Sequence, residues 1–455
     1  MFENVLGQEA AQRLSSDFAS STLPPALLFS GPIASGKGTT ALELARVLSC
    51  RSPSAPWNCP CGACALHRSL SHPDLLLLGP RAFSGELAAS AAAFLREPGS
   101  AARLLFLRGA RKLLARFSSV LWEGEESKLG KAASLAVSLG EDLEEIASIP
   151  PPANETESSG LRKLVESALQ TALKLESEGV ADSVPISQVR RAAYWARLAP
   201  SGARKVILIE NADRMQEGAR NALLKILEEP PATTVLILST TRRPSIMPTI
   251  LSRVRTYGFA ARDAETEREV IRRVFRDAAK AEASAGTGGA SLGLVASYLD
   301  SFLPVSRDAL DAAAAFFAAS AAAAAVPLAR NRSGVVPASL VALGRAAATR
   351  AEAAGMGRPV SDGREATAKT VERAGKFEPR NLFPLFLDCL LRICAIPLHD
   401  AANGSAATSI ATSWAEAVRR ADSAVGTYNQ APALALERLF VELTDGAARA
   451  VKGVQ

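Results

Sequence analysis

The stretch ALLFSGPIASGKGTTALELARVLS, residues 26–49, constrains the fold more than any other part of the chain. A short apolar run ends in Gly31, as a buried parallel strand does. Beyond the loop, Leu42, Ala45 and Leu48 share one face at helical spacing. Between strand and helix lies Gly31-Pro32-Ile33-Ala34-Ser35-Gly36-Lys37-Gly38-Thr39. The glycines of this GxxxxGK pattern let backbone N–H groups turn inward around phosphate oxygens. The helix N-terminus adds its dipole, and Lys37 adds a cation. The Ser or Thr that usually follows the Lys and holds Mg²⁺ is replaced by Gly38; a hydroxyl arrives one residue later, at Thr39. Gly31, Gly36, Lys37, Gly38 and Thr39 are therefore candidate phosphate contacts, with ATP and Mg²⁺ as the ligands such a loop takes. The competing reading is a glycine-rich turn that binds nothing.

A second cluster follows that helix directly. Cys50, Cys59, Cys61 and Cys64 lie in CRSPSAPWNCPCGAC. Four thiolates at short spacing, interleaved with Pro and Gly, suit a closed tetrahedral zinc site with a structural role. One residue separates Cys59 from Cys61, tighter than the usual two to four, so His67 and His72 are candidate substitutes. The competing reading is reduced, unliganded cysteines. Six Cys in 455 residues are too few for a disulfide scaffold, and the clustering predicts a reducing, cytoplasmic setting.

Composition closes off other classes. With 48% hydrophobic and 22% charged residues the chain is globular, and its length predicts two to four domains. No run approaches eighteen consecutive strongly apolar residues, and MFENVLGQEAAQ lacks the build of a secretory signal, so no membrane partner is expected. A net charge of +6 with a pI near 9.1 is compatible with nucleic acid nearby but too mild to establish it.

Along the chain, an α/β rhythm fills residues 1–80 and returns over 186–260, where KVILIE and TTVLILSTT are strand-sized apolar runs around an amphipathic helix, MQEGARNALLKILEEPP. Residues 82–182 read as a helical insertion with a flexible loop at 149–160. Its basic stretch, Arg103, Arg108, Arg111, Lys112 and Arg116, fits a solvated helix with one packed face, or a contact to DNA backbone or a partner; no function is assigned to it. From 262 onward the chain reads as all-helical and Ala-rich, with Gly355–Lys376 as the expected linker. The apolar segment 381–398 is expected to be a buried helix carrying Cys389 and Cys394 as core residues.

Five segments together resemble the bacterial DNA polymerase III clamp-loader subunits, the gamma/tau and delta-prime pair of the AAA+ class. They are FENVLGQEAAQRL, the phosphate loop, HPDLLLL after the cysteines, VRRAAYWARLAPSGARKVILIENADRM, and NALLKILEEPPATTVLILSTTRRPSIMPTILSR. The likeness covers residues 1–80 and 185–260. It implies an α/β AAA+ core over 1–261, a parallel sheet with flanking helices and a zinc module at 50–64. All-α lid and collar domains would follow over 262–354 and 377–455.

The resemblance also implies roles by position. VILIENAD occupies the place where active members carry Asp and then Glu; here these are Glu210 and Asn211. Glu210 remains a candidate metal contact, but Asn211 cannot act as a base. Asp213 is expected to point elsewhere, Thr241 matches the sensor position, and Arg307 matches the lid arginine. Arg253, in ILSRV, matches the arginine finger that reaches a neighbouring subunit's ATP.

Losses at the chain's own site beside a retained Arg253 imply a delta-prime-like subunit, with weak or absent ATPase of its own, inside the polymerase holoenzyme. The implied partners are gamma/tau and delta subunits, with the sliding clamp and primed DNA met through the assembly. The alternatives are an active gamma/tau-type ATPase and, from GKGTT, a nucleoside-phosphate kinase.

Overall fold

Five parallel strands order as β2-β3-β4-β1-β5: β1 Ala26–Ser30, β2 Leu75–Leu78, β3 Lys205–Ile209, β4 Thr234–Thr240 and β5 Arg255–Gly258. The register aligns Ser30 with Thr240 and Ile209 with Leu238, so the carboxyl ends of β1, β3 and β4 are neighbours. Both faces of the sheet are buried over β1 to β4, which is why those strands read as unbroken apolar runs, whereas the edge strand β5 is mostly exposed. Leu28, Leu78, Ile209 and Leu238 face one core; Phe29, Leu77, Leu208 and Ile237 face the other.

The computed structural model describes residues 1–283, 293–378, 382–395, 404–426, 428 and 430–449. The chain divides into two units, Met1–Phe302 and Leu303–Gln455. In the first, α1 Glu9–Ala19 precedes β1, α2 Lys37–Ser49 follows the phosphate loop, and α3 Gly62–Arg68 carries the last cysteine.

The insertion builds its own core from α4 Ser84–Arg96, α5 Ser100–Leu114, α7 Lys131–Ser148 and α8 Glu155–Gly179, while the short α6 Ser119–Trp122 packs through Leu121 on the sheet-side core. Phe94, Phe106, Leu139, Ile146, Val165 and Leu175 are sealed within it. The expected loop at 149–160 is shorter than composition suggests. Asn154 caps α8 by accepting from Glu157 N–H at 2.9 Å, while Glu157 reaches back to Ala153 N–H at 2.8 Å.

The chain then returns to the sheet through α9 Ile186–Trp195, α10 Glu217–Glu228 and α11 Pro248–Leu251. The first unit ends with α12 Ala264–Val274, α13 Ala278–Ala283 and α14 Leu294–Asp300, which bury Ile271, Phe275 and Tyr298 together with Ala89 of the insertion. The division at residue 302 thus falls inside the stretch 262–354 expected to be one lid domain.

The second unit is helical: α15 Arg307–Ser333, α16 Ala338–Ala353, α17 Gly363–Arg373, α18 Leu382–Cys394, α19 Gly404–Gly426 and α20 Pro432–Arg449. Helix α15 is long and apolar enough to cross a membrane, yet 72% of its most apolar window is buried inside the unit. There Phe317 meets Phe386 and Phe440 edge-on, at 6.0 and 5.7 Å. The expected linker Gly355–Lys376 instead contains α17, capped by Asp362 and seated on the core through Ala366. Cys389 and Cys394 are buried on α18, while residues 381 and 396–398 of the expected apolar helix lie outside the described residues.

Candidate nucleotide site and metal centre

The loop between β1 and α2 has the backbone its glycines predict. Gly36 is left-handed at φ 90°, and Gly31 has no room for a Cβ, which would collide with the Phe259 carbonyl oxygen. Lys37 is buried and turned into the loop, donating to the Gly31 carbonyl at 2.8 Å, to the Pro32 carbonyl and to Ser35 Oγ. Burial lowers its pKa to about 8, opposed by the nearby Asp213 carboxylate and aided by the Arg262 guanidinium. Arg262, a residue sequence reasoning passed over, clamps the loop from outside by donating to the carbonyls of Leu6 and Ala34. Thr39 is exposed, whereas Thr40 is buried and bonds back to the Gly36 carbonyl at 2.9 Å. Thr39, expected to replace the missing magnesium ligand, is thus an exposed residue of the first turn of α2.

At the end of β3 the expectation for Glu210 changes most. Its Oε1 lies 3.0 Å from Lys112 Nζ and its Oε2 lies 2.5 Å from Arg116 Nη2. These cations hold its pKa below the ordinary carboxylate value, against burial, which acts the other way and is the largest single influence. Lys112 also reaches Glu86 at 3.2 Å, and Arg116 lies over the Phe83 ring at 5.4 Å. Arg116 keeps Nε and Nη1 buried without a partner among the described residues. Glu210 is thus committed to the insertion rather than open to a metal.

The rest of the insertion's basic stretch also turns inward. Arg103 donates to the Ala147 carbonyl, Arg108 to the carbonyls of His67 and Arg68, and Arg111 to Glu144. These side chains are used internally rather than held out as a basic face.

Asn211 adopts φ 48°, ψ 53°, a left-handed conformation that Asn tolerates better than most residues, and it opens the turn Ala212–Arg214. That turn brings Asp213 back toward Lys37, contrary to the expectation that it would point elsewhere. Asp213 Oδ1 accepts from Thr240 Oγ1 at 2.6 Å, and Thr240 in turn accepts from Arg242 N–H. Thr241, the expected sensor residue, is exposed; the buried hydroxyl at this edge belongs to Thr240. Thr241 lies one residue past β4, which is buried along its whole length and ends at Thr240.

Magnesium does not fit this arrangement. Both Glu210 oxygens are bonded to cations, position 38 offers no hydroxyl, and a Cβ there would already stand 3.2 Å from Glu210 Oε1. A phosphate group fits the loop itself, with its left-handed Gly36, buried Lys37 and the amino end of the 13-residue α2.

The four thiols pass the test for a metal. Their sulfurs all lie within 4.8 Å of one another, with Cys50 and Cys59 at 3.6 Å. A tetrahedral centre with bonds of about 2.3 Å has sulfur–sulfur edges of about 3.8 Å. Arg46, itself buried and paired with Glu43 at 2.6 Å, donates to Cys64 Sγ at 2.9 Å, and Ser52 N–H donates to Cys50 Sγ at 3.4 Å. Such outer contacts orient thiolates and offset their charge. His67 and His72 stack at 4.1 Å, and His67 bonds Ser49. Neither joins the group that could hold a metal, so they are packing residues rather than substitute ligands.

Arg253 follows α11 at the surface, its side chain 35% exposed. It donates to the Thr249 carbonyl and to Glu228 at the end of α10, both at 2.9 Å. Arg307 lies in the second unit at the start of α15, where it faces Asp388 at 3.9 Å.

Comparison with known proteins gives a family match over residues 7–92 and 119–263, just over half the chain, to the model described as "DNA polymerase III, delta subunit". Residues 93–118, which hold Lys112 and Arg116, fall between the matched stretches. DNA polymerase III subunit delta' of Pseudomonas aeruginosa is 42% identical over 80 residues, 17% of this chain and 24% of that protein. Subunit tau of Bacillus subtilis is 28% identical over 175 residues, 38% of this chain and 29% of that protein. The chain thus spans about a quarter of the length of these relatives. A gamma subunit-related protein from Thermotoga maritima aligns over 96% of this chain and 99% of its own at a TM-score of 0.31 and 14% identity, too remote to carry an argument.

Proposed function

This chain belongs to the DNA polymerase III delta-subunit family, and on that premise we propose that it is a delta-prime-like clamp-loader subunit. In this reading it turns over little or no ATP itself and lends Arg253 to the ATP site of a neighbouring subunit. The observation that carries the reading is a surface guanidinium, Arg253, beside a site of its own that lacks a base at Asn211 and whose Glu210 is bound by Lys112 and Arg116. A guanidinium suits this task, being permanently charged and forked toward phosphoryl oxygens. Gamma/tau and delta-type subunits are its partners, and the assembly meets the sliding clamp and primed DNA in the cytoplasm. The four cysteines take a structural zinc that braces the connection from α2 to β2.

Reconstitution with a gamma-type partner tests the reading. DNA-stimulated ATP turnover should fall by at least about tenfold on Arg253→Ala, toward the larger losses known for arginine fingers. Unchanged turnover would remove the claim. An active gamma/tau-type ATPase is the rival, supported by the likeness to tau over 175 residues. Turnover by the isolated chain that disappears on Lys37→Ala would favour it.

A further inference from the structure

The helical insertion reaches Glu210, beside the phosphate loop. Helix α5 and the turn after it carry Lys112 and Arg116 to Glu210 at the carboxyl end of β3, and Glu210 Oε1 lies 3.2 Å from where a side chain at position 38 would begin. This is the quarter of a phosphate loop in which a hydroxyl and a carboxylate ordinarily hold a divalent cation. Here the hydroxyl is missing, and each oxygen of the carboxylate is bonded to a fixed cation of the protein.

We propose that Lys112 and Arg116 stand in for the divalent cation, so that this chain binds a nucleoside polyphosphate through its phosphate loop without magnesium. The inference rests on the reading of residues 31–39 as a phosphate cradle.

Three features support it beyond the loop. Arg116 is 3% exposed, yet its Nε and Nη1 have no partner among the described residues, and a buried guanidinium with open donors calls for an acceptor. Phosphate oxygens are the acceptors that a guanidinium meets best. Gly79, at the end of β2, lacks a side chain where Arg116 Nη2 would stand 2.8 Å from a Cβ, so the sheet edge leaves space for the guanidinium. Two fixed cations beside Glu210 also repel an incoming divalent ion, which would have to break an ion pair to gain a single carboxylate oxygen.

Equilibrium binding of ATP and of inorganic triphosphate to the full chain, in excess magnesium and then in EDTA, tests this. Both probes should bind, with dissociation constants that differ by less than about threefold between the two conditions. A stronger affinity for ATP than for triphosphate marks a contact to the nucleoside as well. Binding that magnesium tightens by about tenfold or more overturns the proposal, as does no binding of either probe. Lys112→Met should weaken binding in EDTA by about tenfold, and Lys112→Arg should restore it. If Lys112→Met fails to fold, the comparison on the unaltered chain still decides. An effect of Arg253→Ala on a partner's turnover is independent of either result, so the two readings can fail separately.

Discussion

Arg253 Nη2 lies 2.9 Å from Glu228 Oε1, and both side chains reach solvent. An exposed ion pair of this kind contributes only about 0–1 kcal/mol to folding. It does fix where the guanidinium points, because the Thr249 carbonyl holds the other side. Glu228→Gln should therefore leave the melting temperature nearly unchanged. Partner ATP turnover in the reconstituted assembly should fall, but by less than with Arg253→Ala. Equal turnover with both glutamate and glutamine would show that the pair positions nothing.

The metal centre can be tested through stability. The purified chain should carry one zinc, read by atomic absorption, and Cys64→Ser should lose most of it because Cys64 is fully buried within the thiol group. Removal by a chelator should lower the melting temperature, and re-addition should restore it, since metal that binds only the folded state stabilises that state. A chain that melts identically with and without chelator has no structural metal here.

Lys37 gives a pH signature with a definite sign. In the free protein it releases its proton near pH 8, against an ordinary value of 10.5. Between those values the unfolded chain binds one proton more, so this residue makes stability rise with pH across that window. Lys37→Met should flatten the rise in chemical denaturation measured from pH 8 to 10. Polyphosphate affinity should run the other way and weaken above pH 8, because the uncharged amine no longer attracts the anion. A flat affinity profile over that range would show that Lys37 does not face the phosphates.

Glycines 31 and 258 flank the same strand pair and should differ sharply. A Cβ at Gly31 meets the backbone of Phe259, whereas one at Gly258 meets nothing within 4 Å. Gly31→Ala should cost about 1–3 kcal/mol of stability, as forced overpacking does. Gly258→Ala should stay within about 0.5 kcal/mol. Equal losses in urea titrations would place the strain elsewhere.

The core was readable because burial on both faces imposes a simple signature. ALLFS, KVILI and TVLILST are continuous apolar runs, and each is a strand. The cysteine cluster was readable because four thiols that could hold one small ion crowd in sequence as well as in space.

Two misjudged boundaries share one cause. Pro, Gly and Ser around residues 149–160 and 355–376 suggested open chain, but Asn154 and Asp362 are caps that start helices. What escaped altogether depends on distant pairing. Nothing in the sequence near Lys112 or Arg116 reveals that they meet Glu210, since α7 and α8 intervene before the chain returns to β3. Asp213 escaped for a local reason: the left-handed turn at Asn211 swings it back toward the loop.

An insertion between two strands is commonly treated as ornament that can be trimmed. This one cannot be. Excising residues 82–182 and rejoining the ends would strand Glu210, 15% exposed, with neither of its counter-ions. A shortened version of this protein would inherit an uncompensated negative charge beside its anion cradle. The extra helices and the loop they guard form one electrostatic unit, to be kept or redesigned together.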